Sequence, residues 1–351
     1  MNSDRIHGII TRGVGGLYGV RVSDNEEVLC RARGILRREQ ITPTVGDEVV
    51  IELGTREELD APLEAEDTSE RGTRSTGKNG RPVKKEYHSK KNDVSVDYVI
   101  DEIMPRRNLL IRPPVANLDY LFAVIPCASP EPDLLTADKL TVIAENYGIE
   151  TVVVINKADI DQGKADSLCE IYNTAGYRTF KVSCESGEGI PELSAYIREI
   201  SSSHENLHVS GAFAGVSGAG KSTLMSALFP GLELKTGTVS RKTERGRHTT
   251  RHVELYPVDM EGCTFWIADT PGFSMLDFTR FDFFPYDELA VSFREFAECI
   301  GACRYTKCTH LREEGCAVIE KMNDGRIAKS RHESYIRIYE EQRSVPEWKR
   351  R

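Results

Sequence analysis

The middle of the chain carries short continuous apolar runs, each followed by a polar or glycine-rich loop. Such runs cover residues 150–155, 211–214 and 263–268, and a weaker one covers 178–182. Strands that are buried on both faces have this pattern, which is typical of a parallel sheet with helices on either side. A helical pattern follows at 222–228. We therefore predict an α/β domain in the centre of the chain.

The residues before about 112 follow a different, alternating pattern. Short runs of period two occur at 17–22, 28–33, 47–51 and 94–100, and glycine turns lie among them. Five short strands of this kind predict a small barrel, for which the OB-fold is the natural candidate. A basic cluster accompanies them, formed by Arg31, Arg33, Arg37 and Arg38. This cluster is either a solvated edge of the barrel or a contact to nucleic acid.

An insertion at about 55–93, between the fourth and fifth strands, has almost no apolar periodicity. Its part at 57–70 is acidic, whereas its part at 71–91 is rich in Lys and Arg. Such a segment cannot bury enough apolar surface to order itself, so we expect it to be flexible. OB-folds use this loop to contact oligonucleotides, and we favour RNA docking over a passive tail.

A phosphate-binding loop follows the apolar run at 211–214. Its residues are Gly215, Val216, Ser217, Gly218, Ala219, Gly220, Lys221 and Ser222, with Thr223 next in the helix. Strand, glycine-rich loop and helix are the setting that a P-loop requires. Backbone N–H groups and the helix N-terminus can hold the β-phosphate, Lys221 can reach the β- and γ-phosphates, and the Ser222 hydroxyl can ligate Mg²⁺.

A base-reading motif lies upstream, at the end of the run 150–155. Its residues are Asn156, Lys157, Ala158 and Asp159. The Asp159 carboxylate can accept hydrogen bonds from guanine N1–H and the exocyclic amine, and adenine offers no matching pair of donors. Lys157 can pack its stem over the ring, and Asn156 can tie this loop to the P-loop. Ser183 and Cys184 follow the run 178–182, where backbone groups can contact guanine O6.

The order of these two motifs is informative. In an ordinary GTPase the base motif comes after the P-loop, whereas here Asp159 precedes Gly215. The order therefore predicts a circularly permuted P-loop GTPase domain.

The remaining nucleotide contacts are expected downstream of the P-loop. Asp269 ends the run 263–268 and can hold Mg²⁺ through water, and the Gly272 N–H can sense the γ-phosphate. The polar segment 246–251 fits a switch loop whose threonine completes the Mg²⁺ shell. Thr250 is the preferred ligand, with Thr249 as the alternative.

Hydrolysis needs a group that orients water, and Phe273 stands where many GTPases have a glutamine. A phenyl ring cannot make the hydrogen bonds required. His248 is the candidate catalytic residue, because it lies beside the switch threonines and can accept a proton. Arg247 and Arg251 are alternatives that could stabilise charge in the transition state.

A cluster of cysteines and one histidine follows the GTPase motifs. Cys303, Cys308, His310 and Cys316 can close a tetrahedral shell around a structural Zn²⁺, although Cys299 is a competing ligand. Nearby helices, clearest at 330–339, cannot supply a large core without the metal. We therefore predict a helical zinc-binding domain.

With these motifs in place, the chain resembles the bacterial ribosome small-subunit-dependent GTPase A family. The resemblance rests on the permuted motif order, the segment 112–119 and the cysteine pattern, and it covers nearly the whole chain apart from the insertion. It implies an enzyme that hydrolyses GTP to GDP and phosphate, binds the 30S ribosomal subunit and its 16S rRNA, and assists late maturation by timing its own release. Turnover is expected to be slow until the partner stimulates it.

The resemblance also selects among the alternatives. The pattern of the family, Cys-x4-Cys-x-His-x5-Cys, fits Cys303, Cys308, His310 and Cys316 and excludes Cys299. It favours rRNA binding as the role of the basic cluster of the barrel. The implied domains are an OB-fold at 1–112 with its insertion, a permuted GTPase domain at 113–280 and a zinc-binding domain at 281–351.

Composition bears on the location and the partners of the protein. The chain has 351 residues, nine cysteines and a formal net charge of −9, so any RNA contact must come from local basic patches. No apolar run approaches transmembrane length, and no secretory signal opens the sequence. We expect a cytoplasmic monomer with one Zn²⁺, a Mg²⁺ and a guanine nucleotide. A GTP-dependent RNA-binding scaffold with incidental hydrolysis is the alternative function, and Asp159 opposes an ATP-dependent one.

Overall fold

The computed structural model describes residues 5–23, 26–39, 41–60, 96–111, 113–203, 208–232, 253–269 and 285–345. The chain divides into two compact units, Met1–Pro105 and Arg106–Arg351. Within the described ranges, none of the helices combines the length and the apolar character that a membrane crossing requires.

The first unit is a closed five-stranded barrel, as predicted. Its strands are β1 (Ile6–Val14), β2 (Leu17–Ser23), β3 (Glu26–Ala32), β4 (Glu48–Leu53) and β5 (Tyr98–Ile103). β1 pairs with β2, β2 with β3, and β4 with both β1 and β5, all antiparallel, while β3 runs parallel to β5 and closes the barrel. Alternate side chains point inward and fill the interior. Those with no exposed surface include Ile10, Val20, Cys30, Ile51 and Ile100.

Two short helices belong to this unit, α1 (Gly34–Arg38) and α2 (Arg56–Asp60). α2 lies at the start of the segment for which the sequence predicted no regular structure, so the expected insertion begins with an ordered turn. The Glu58 carboxylate accepts hydrogen bonds from the Thr55 N–H and hydroxyl, both at 2.9 Å. This is a capping box, which the sequence Thr-x-x-Glu signals. The part at 61–93 lies outside the described residues.

Arg33 of the basic cluster binds acids of the barrel. Its Nε lies 3.0 Å from Glu58 Oε1 and its Nη2 3.4 Å from Glu52 Oε2, and Nη1 donates to Asp101. These carboxylates offset the charge of Arg33. Arg33 therefore contributes less to a basic surface than the sequence suggested. The sequence cluster did not reveal this, because the acids are distant in sequence.

The second unit contains a six-stranded sheet in the order β10-β9-β8-β11-β13-β12. Its strands are β8 (Tyr120–Pro126), β9 (Glu150–Asn156), β10 (Arg178–Lys181), β11 (Val209–Ala214), β12 (Glu254–Asp259) and β13 (Thr264–Asp269). All pairings are parallel except that of β12 with β13. A separate hairpin, β6 (Leu109–Ile111) with β7 (Pro114–Ala116), precedes the sheet. The predicted strands at 150–155, 178–182, 211–214 and 263–268 correspond to β9, β10, β11 and β13.

Helices cover both faces of the sheet. α5 (Ile190–Ser203) and α6 (Lys221–Leu228) cover one face, where Leu193, Ile197 and Leu224 pack in the same cluster as Phe122 and Val154. α3 (Leu134–Asn146) and α4 (Gln162–Thr174) cover the other face, where their apolar residues meet those of β8 and β9. Helices on both faces explain why these strands read as continuous apolar runs.

The C-terminal region packs within the same unit. It contains two 3₁₀ helices, Tyr286–Ser292 and Arg294–Cys299, followed by α7 (Ala317–Asn323) and α8 (Lys329–Arg343). α8 lies against α3, where Arg331 pairs with Asp138, and Tyr335 and Ile338 of α8 are buried. The apolar support of these helices is therefore larger than the sequence suggested, because packing against α3 supplements whatever a metal contributes.

Candidate functional site

The P-loop joins β11 to α6 at the carboxyl edge of the sheet. Gly215, Gly218 and Gly220 have φ angles of 146°, 81° and 90°, which side-chain-bearing residues rarely adopt. A Cβ on Gly215 would lie 2.2 Å from the Val124 carbonyl oxygen, so the backbone there packs too closely for any side chain. Lys221 begins α6 just after this loop, where the helix N-terminus favours phosphate.

Lys221 folds over its own loop. Its ammonium donates to the carbonyl oxygens of Gly215 at 2.8 Å and Val216 at 3.0 Å. Burial lowers the pKa of Lys221, since removal from water disfavours the charged form. An anionic phosphate would oppose that effect. Ser222 and Thr223 lie exposed in the first turn of α6.

Asn156 connects the base motif to the P-loop, as its sequence position suggested. Its side-chain amide donates to the Ala219 carbonyl oxygen at 2.9 Å and its Oδ1 accepts from the Lys157 N–H at 2.8 Å. Asn156 is buried, and a Cβ on Gly220 would lie 2.4 Å from its Nδ2. The glycine is therefore needed for this close approach. Two motifs that are distant in sequence form one site.

Asp159 and the segment after β10 lie together at the same edge. Ser183 is buried, and its hydroxyl donates to Asp159 Oδ1 at 2.5 Å. Asp159 itself is exposed, so its carboxylate is accessible to a base. The Cys184 thiol lies 3.8 Å from Asn156 Oδ1, and burial followed by the charge of Asp159 raises its pKa. The residues predicted to surround guanine are thus brought together.

Asp269 ends β13 beside the P-loop strand, because β11 and β13 are neighbours. Burial, followed by the charge of Glu254, raises the pKa of Asp269. A nearby divalent cation would favour the ionised form again. The other predicted contacts, His248, Thr249, Thr250 and Gly272, lie outside the described residues, as do Arg247, Arg251 and Phe273.

The four predicted zinc ligands converge in the C-terminal region. The ligand atoms of Cys303, Cys308, His310 and Cys316 all lie within 4.8 Å of one another. His310 Nδ1 lies 3.5 Å from Cys303 Sγ and 3.4 Å from Cys316 Sγ, and these two sulfurs are 4.0 Å apart. Tetrahedral Zn²⁺ with usual bond lengths places its ligands roughly 3.5–3.8 Å apart, so the donor set fits this metal. Cys299 does not belong to the group.

The shape of this cluster is maintained by its neighbours. The His332 ring Nε2 lies 2.8 Å from the His310 carbonyl oxygen, and the Tyr335 hydroxyl donates to the Thr309 carbonyl oxygen at 2.8 Å. Burial raises the pKa of Glu313, but hydrogen bonds from Thr309 and Arg312 outweigh it and lower that pKa to about 2. The ionised Glu313 therefore stabilises the loop between His310 and Cys316.

Sequence reasoning missed one segment that reaches the nucleotide site. Residues 127–133 join β8 to α3, and Lys157 donates to the Ser129 carbonyl oxygen of this loop. Its place at the carboxyl end of a parallel strand was the available signal, since open α/β sheets bind ligands at that edge.

Comparison with known proteins agrees with this geometry. The RsgA GTPase model matches residues 103–279, and the model of the RsgA N-terminal domain matches residues 7–58. A protein named small ribosomal subunit biogenesis GTPase RsgA from Caldanaerobacter subterraneus subsp. tengcongensis is 35% identical over 339 residues, covering 96% of each chain. One of the same name from Ruminiclostridium cellulolyticum is 32% identical and covers 97% of this chain and 95% of the relative.

Solved structures are also similar. YjeQ from Thermotoga maritima superposes with a TM-score of 0.70 at 30% identity, covering 97% of this chain and all of that one (100%). YloQ, described as a circularly permuted GTPase, superposes with a TM-score of 0.66 at 27% identity, covering 97% and 96%. The resemblance inferred from the motifs is confirmed. The chain therefore belongs to the RsgA GTPase family and is a GTP hydrolase.

Proposed function

We propose that this GTPase binds the immature small ribosomal subunit and hydrolyses GTP to time its own release. The observation that carries the nucleotide half of the proposal is the hydrogen bond from Asn156 to the Ala219 carbonyl oxygen, because it joins the base-reading loop to the P-loop in one site. The ribosomal half is supported by relatives named small ribosomal subunit biogenesis GTPases, which match over nearly their whole length.

Each residue of the nucleotide site has a proposed role. Asp159 reads the guanine edge, Lys157 packs along the base, and Ser183 and Cys184 lie near O6. Lys221 and the P-loop backbone bind the phosphates. Mg²⁺ is held by Ser222 and Thr250, with Thr249 as the alternative, and by Asp269 through water, while Gly272 senses the γ-phosphate.

The other two regions serve the ribosomal partner in this proposal. The domains are taken as 1–112, 113–280 and 281–351. The barrel contacts 16S rRNA, with the charged insertion as a further docking segment, because closed β-barrels of this kind bind oligonucleotides on one face. The Cys/His cluster holds one structural Zn²⁺, which fixes the loop between Cys303 and Cys316.

The experiment that tests the proposal is multiple-turnover GTP hydrolysis with and without purified 30S subunits. We expect stimulation of about ten-fold or more, since completion of a switch by a partner is a large effect in GTPases. Lys221→Ala is the control and should show no stimulated turnover. Unchanged hydrolysis in a protein that still binds 30S subunits would instead favour an RNA-binding scaffold with incidental hydrolysis.

His248→Ala tests the proposed catalytic residue in the same system. We expect single-turnover hydrolysis on 30S subunits to fall on the order of 10²-fold, the usual scale for a placed acid-base group. GTP affinity and 30S association should stay close to parental values, because His248 is assigned to water rather than to binding. Hydrolysis at the parental rate would transfer the role to Arg247 or Arg251.

Asp159→Asn tests the base assignment. An amide presents one donor and one acceptor where the carboxylate presents two acceptors, so it matches the xanthine edge better than guanine. Charge-assisted hydrogen bonds contribute about 1.5–3 kcal/mol each, so the preference for GTP over XTP should fall on the order of 10- to 100-fold. Competition binding against a fluorescent nucleotide measures it.

Glu185→Gln is the matched control for that experiment. It makes the same carboxylate-to-amide change at an exposed position two residues after Ser183, and the preference for GTP should not move. If Asp159→Asn keeps the parental margin for GTP over XTP, the guanine edge is read by another group.

A further inference from the structure

Lys157 has an unusual backbone for a residue with a side chain. Its φ angle is 65°, in the left-handed region that residues other than glycine avoid, so surrounding contacts must hold it there. One such contact is the hydrogen bond from the Lys157 N–H to Asn156 Oδ1. The other contacts come from the loop at 127–133.

Cys127 binds the first two residues of the base motif. Its backbone N–H donates to the Asn156 carbonyl oxygen at 2.9 Å, and its thiol donates to the Lys157 carbonyl oxygen at 2.9 Å. Cys127 has no exposed surface. Burial raises the pKa of its thiol, so at neutral pH the sulfur keeps its proton and remains a donor.

The side chain of Lys157 is held by the same loop. Its ammonium donates to the Ser129 carbonyl oxygen, and its stem passes the P-loop, since a Cβ on Gly220 would lie 3.9 Å from Lys157 Cε. Pro130 borders the P-loop too, because a Cβ on Gly218 would lie 3.4 Å from its Cδ. Glu131 pairs with Lys164 of α4 and anchors the far side of the loop.

We propose that Cys127 is a positioning residue for guanine binding, which fixes the left-handed backbone of Lys157 so that its side chain lies along the base. The loop of Cys127, Ser129 and Pro130 thereby forms a further wall of the nucleotide site. This inference rests on the proposed reading of guanine by Lys157 and Asp159.

The test compares Cys127→Val, which puts a slightly larger apolar side chain in place of the thiol and loses the donor, with Cys127→Ser, which keeps a donor. Dissociation constants are measured for GDP, which uses the base contacts, and for inorganic tripolyphosphate, which uses the P-loop alone. We expect Cys127→Val to weaken GDP binding about three- to ten-fold, the scale of one hydrogen bond, and to leave tripolyphosphate binding within two-fold. Cys127→Ser should bind GDP about as tightly as the parental protein.

Cys169→Val controls for loss of a half-buried thiol in the adjacent helix α4 and should change neither constant. Cys127→Ala, which cannot overpack, carries the same expectation as Cys127→Val if the valine variant does not fold. Parental GDP binding in a donor-free variant, or an equal loss for tripolyphosphate, would overturn the proposal.

Measurements in a Lys157→Gly background separate the role of Cys127 from the proposed reading of guanine by Lys157 and Asp159. Glycine adopts the left-handed conformation freely, so the support from Cys127 becomes unnecessary and Cys127→Val should cost less than two-fold in that background. Additive losses would overturn the role of Cys127. If Lys157→Gly itself leaves GDP binding unchanged, the base assignment fails, and the inference about Cys127 fails with it.

Discussion

Replacing Cys303, Cys308 and Cys316 together by serine should remove about one zinc per chain from the purified protein. Serine hydroxyls are poor zinc ligands, and His310 alone cannot hold the metal. Structural zinc binding is worth about 10–16 kcal/mol in small zinc-dependent folds, so we expect the loop between residues 303 and 316 to lose its protection against hydrogen exchange. Metal analysis and hydrogen exchange measure the two effects.

The loss of structure in the triple variant should be confined to the region of the Cys/His cluster. α8 is attached to α3 by ion pairs between Arg331 and Asp138 and between Lys139 and Glu341, and none of these residues belongs to the Cys/His cluster. GDP binding should therefore remain close to parental in the triple variant. Cys299→Ala is the control, because Cys299 is buried nearby but outside the ligand group, and it should keep full zinc. Full zinc in the triple variant would show that the metal site has been misplaced.

Arg331→Met should destabilise the second unit by roughly 3–5 kcal/mol, the cost of leaving buried charges without their partner. The Arg331 side chain has no exposed surface (0%), and it lies 2.6 Å from Asp138 Oδ1 of α3 and 2.7 Å from Glu295 Oε1. Both carboxylates are also buried, at 1% and 2% exposure. Burial raises the pKa of Asp138 and Arg331 opposes that shift, so without the arginine a carboxyl would have to take up a proton or stay charged in an apolar setting.

Urea denaturation of Arg331→Met, set against Arg337→Met on the exposed face of the same helix, provides the measurement. The control should change the free energy of unfolding by no more than about 0.5 kcal/mol. Adding Asp138→Asn and Glu295→Gln to Arg331→Met should recover part of the loss, because no unpaired charge then remains. Equal stability of the two single variants would mean that the buried ion pairs contribute nothing to the attachment of α8.

The sequence, with the resemblance that its motifs carry, was sufficient for the family, the permuted order and the Cys/His cluster that could hold a metal ion. These features depend on local spacing: a P-loop is a contiguous run between one strand and one helix, and the Cys/His pattern occupies a single short segment. The buried strands β9, β11 and β13 were predictable for the same reason, since burial on both faces leaves an uninterrupted apolar run, whereas β8 was overlooked. The five-stranded barrel also followed from its alternating runs, although the helix capped by Thr55 and Glu58 was overlooked.

Tertiary structure decided which distant residues meet. The hydrogen bond from Asn156 to Ala219 exists because β9 and β11 flank β8 and end at the same edge of the sheet, and strand order is not written in any one segment. Arg33 looked like part of a basic surface until folding brought Glu52, Glu58 and Asp101 around it. Arg331 belonged to a polar helical stretch, yet packing of α8 on α3 buried it completely. Cys127 belonged to no sequence motif. Local pattern determines elements and motifs, whereas the partners of charged and strained residues depend on long-range packing, to which spacing along the chain gives no guide.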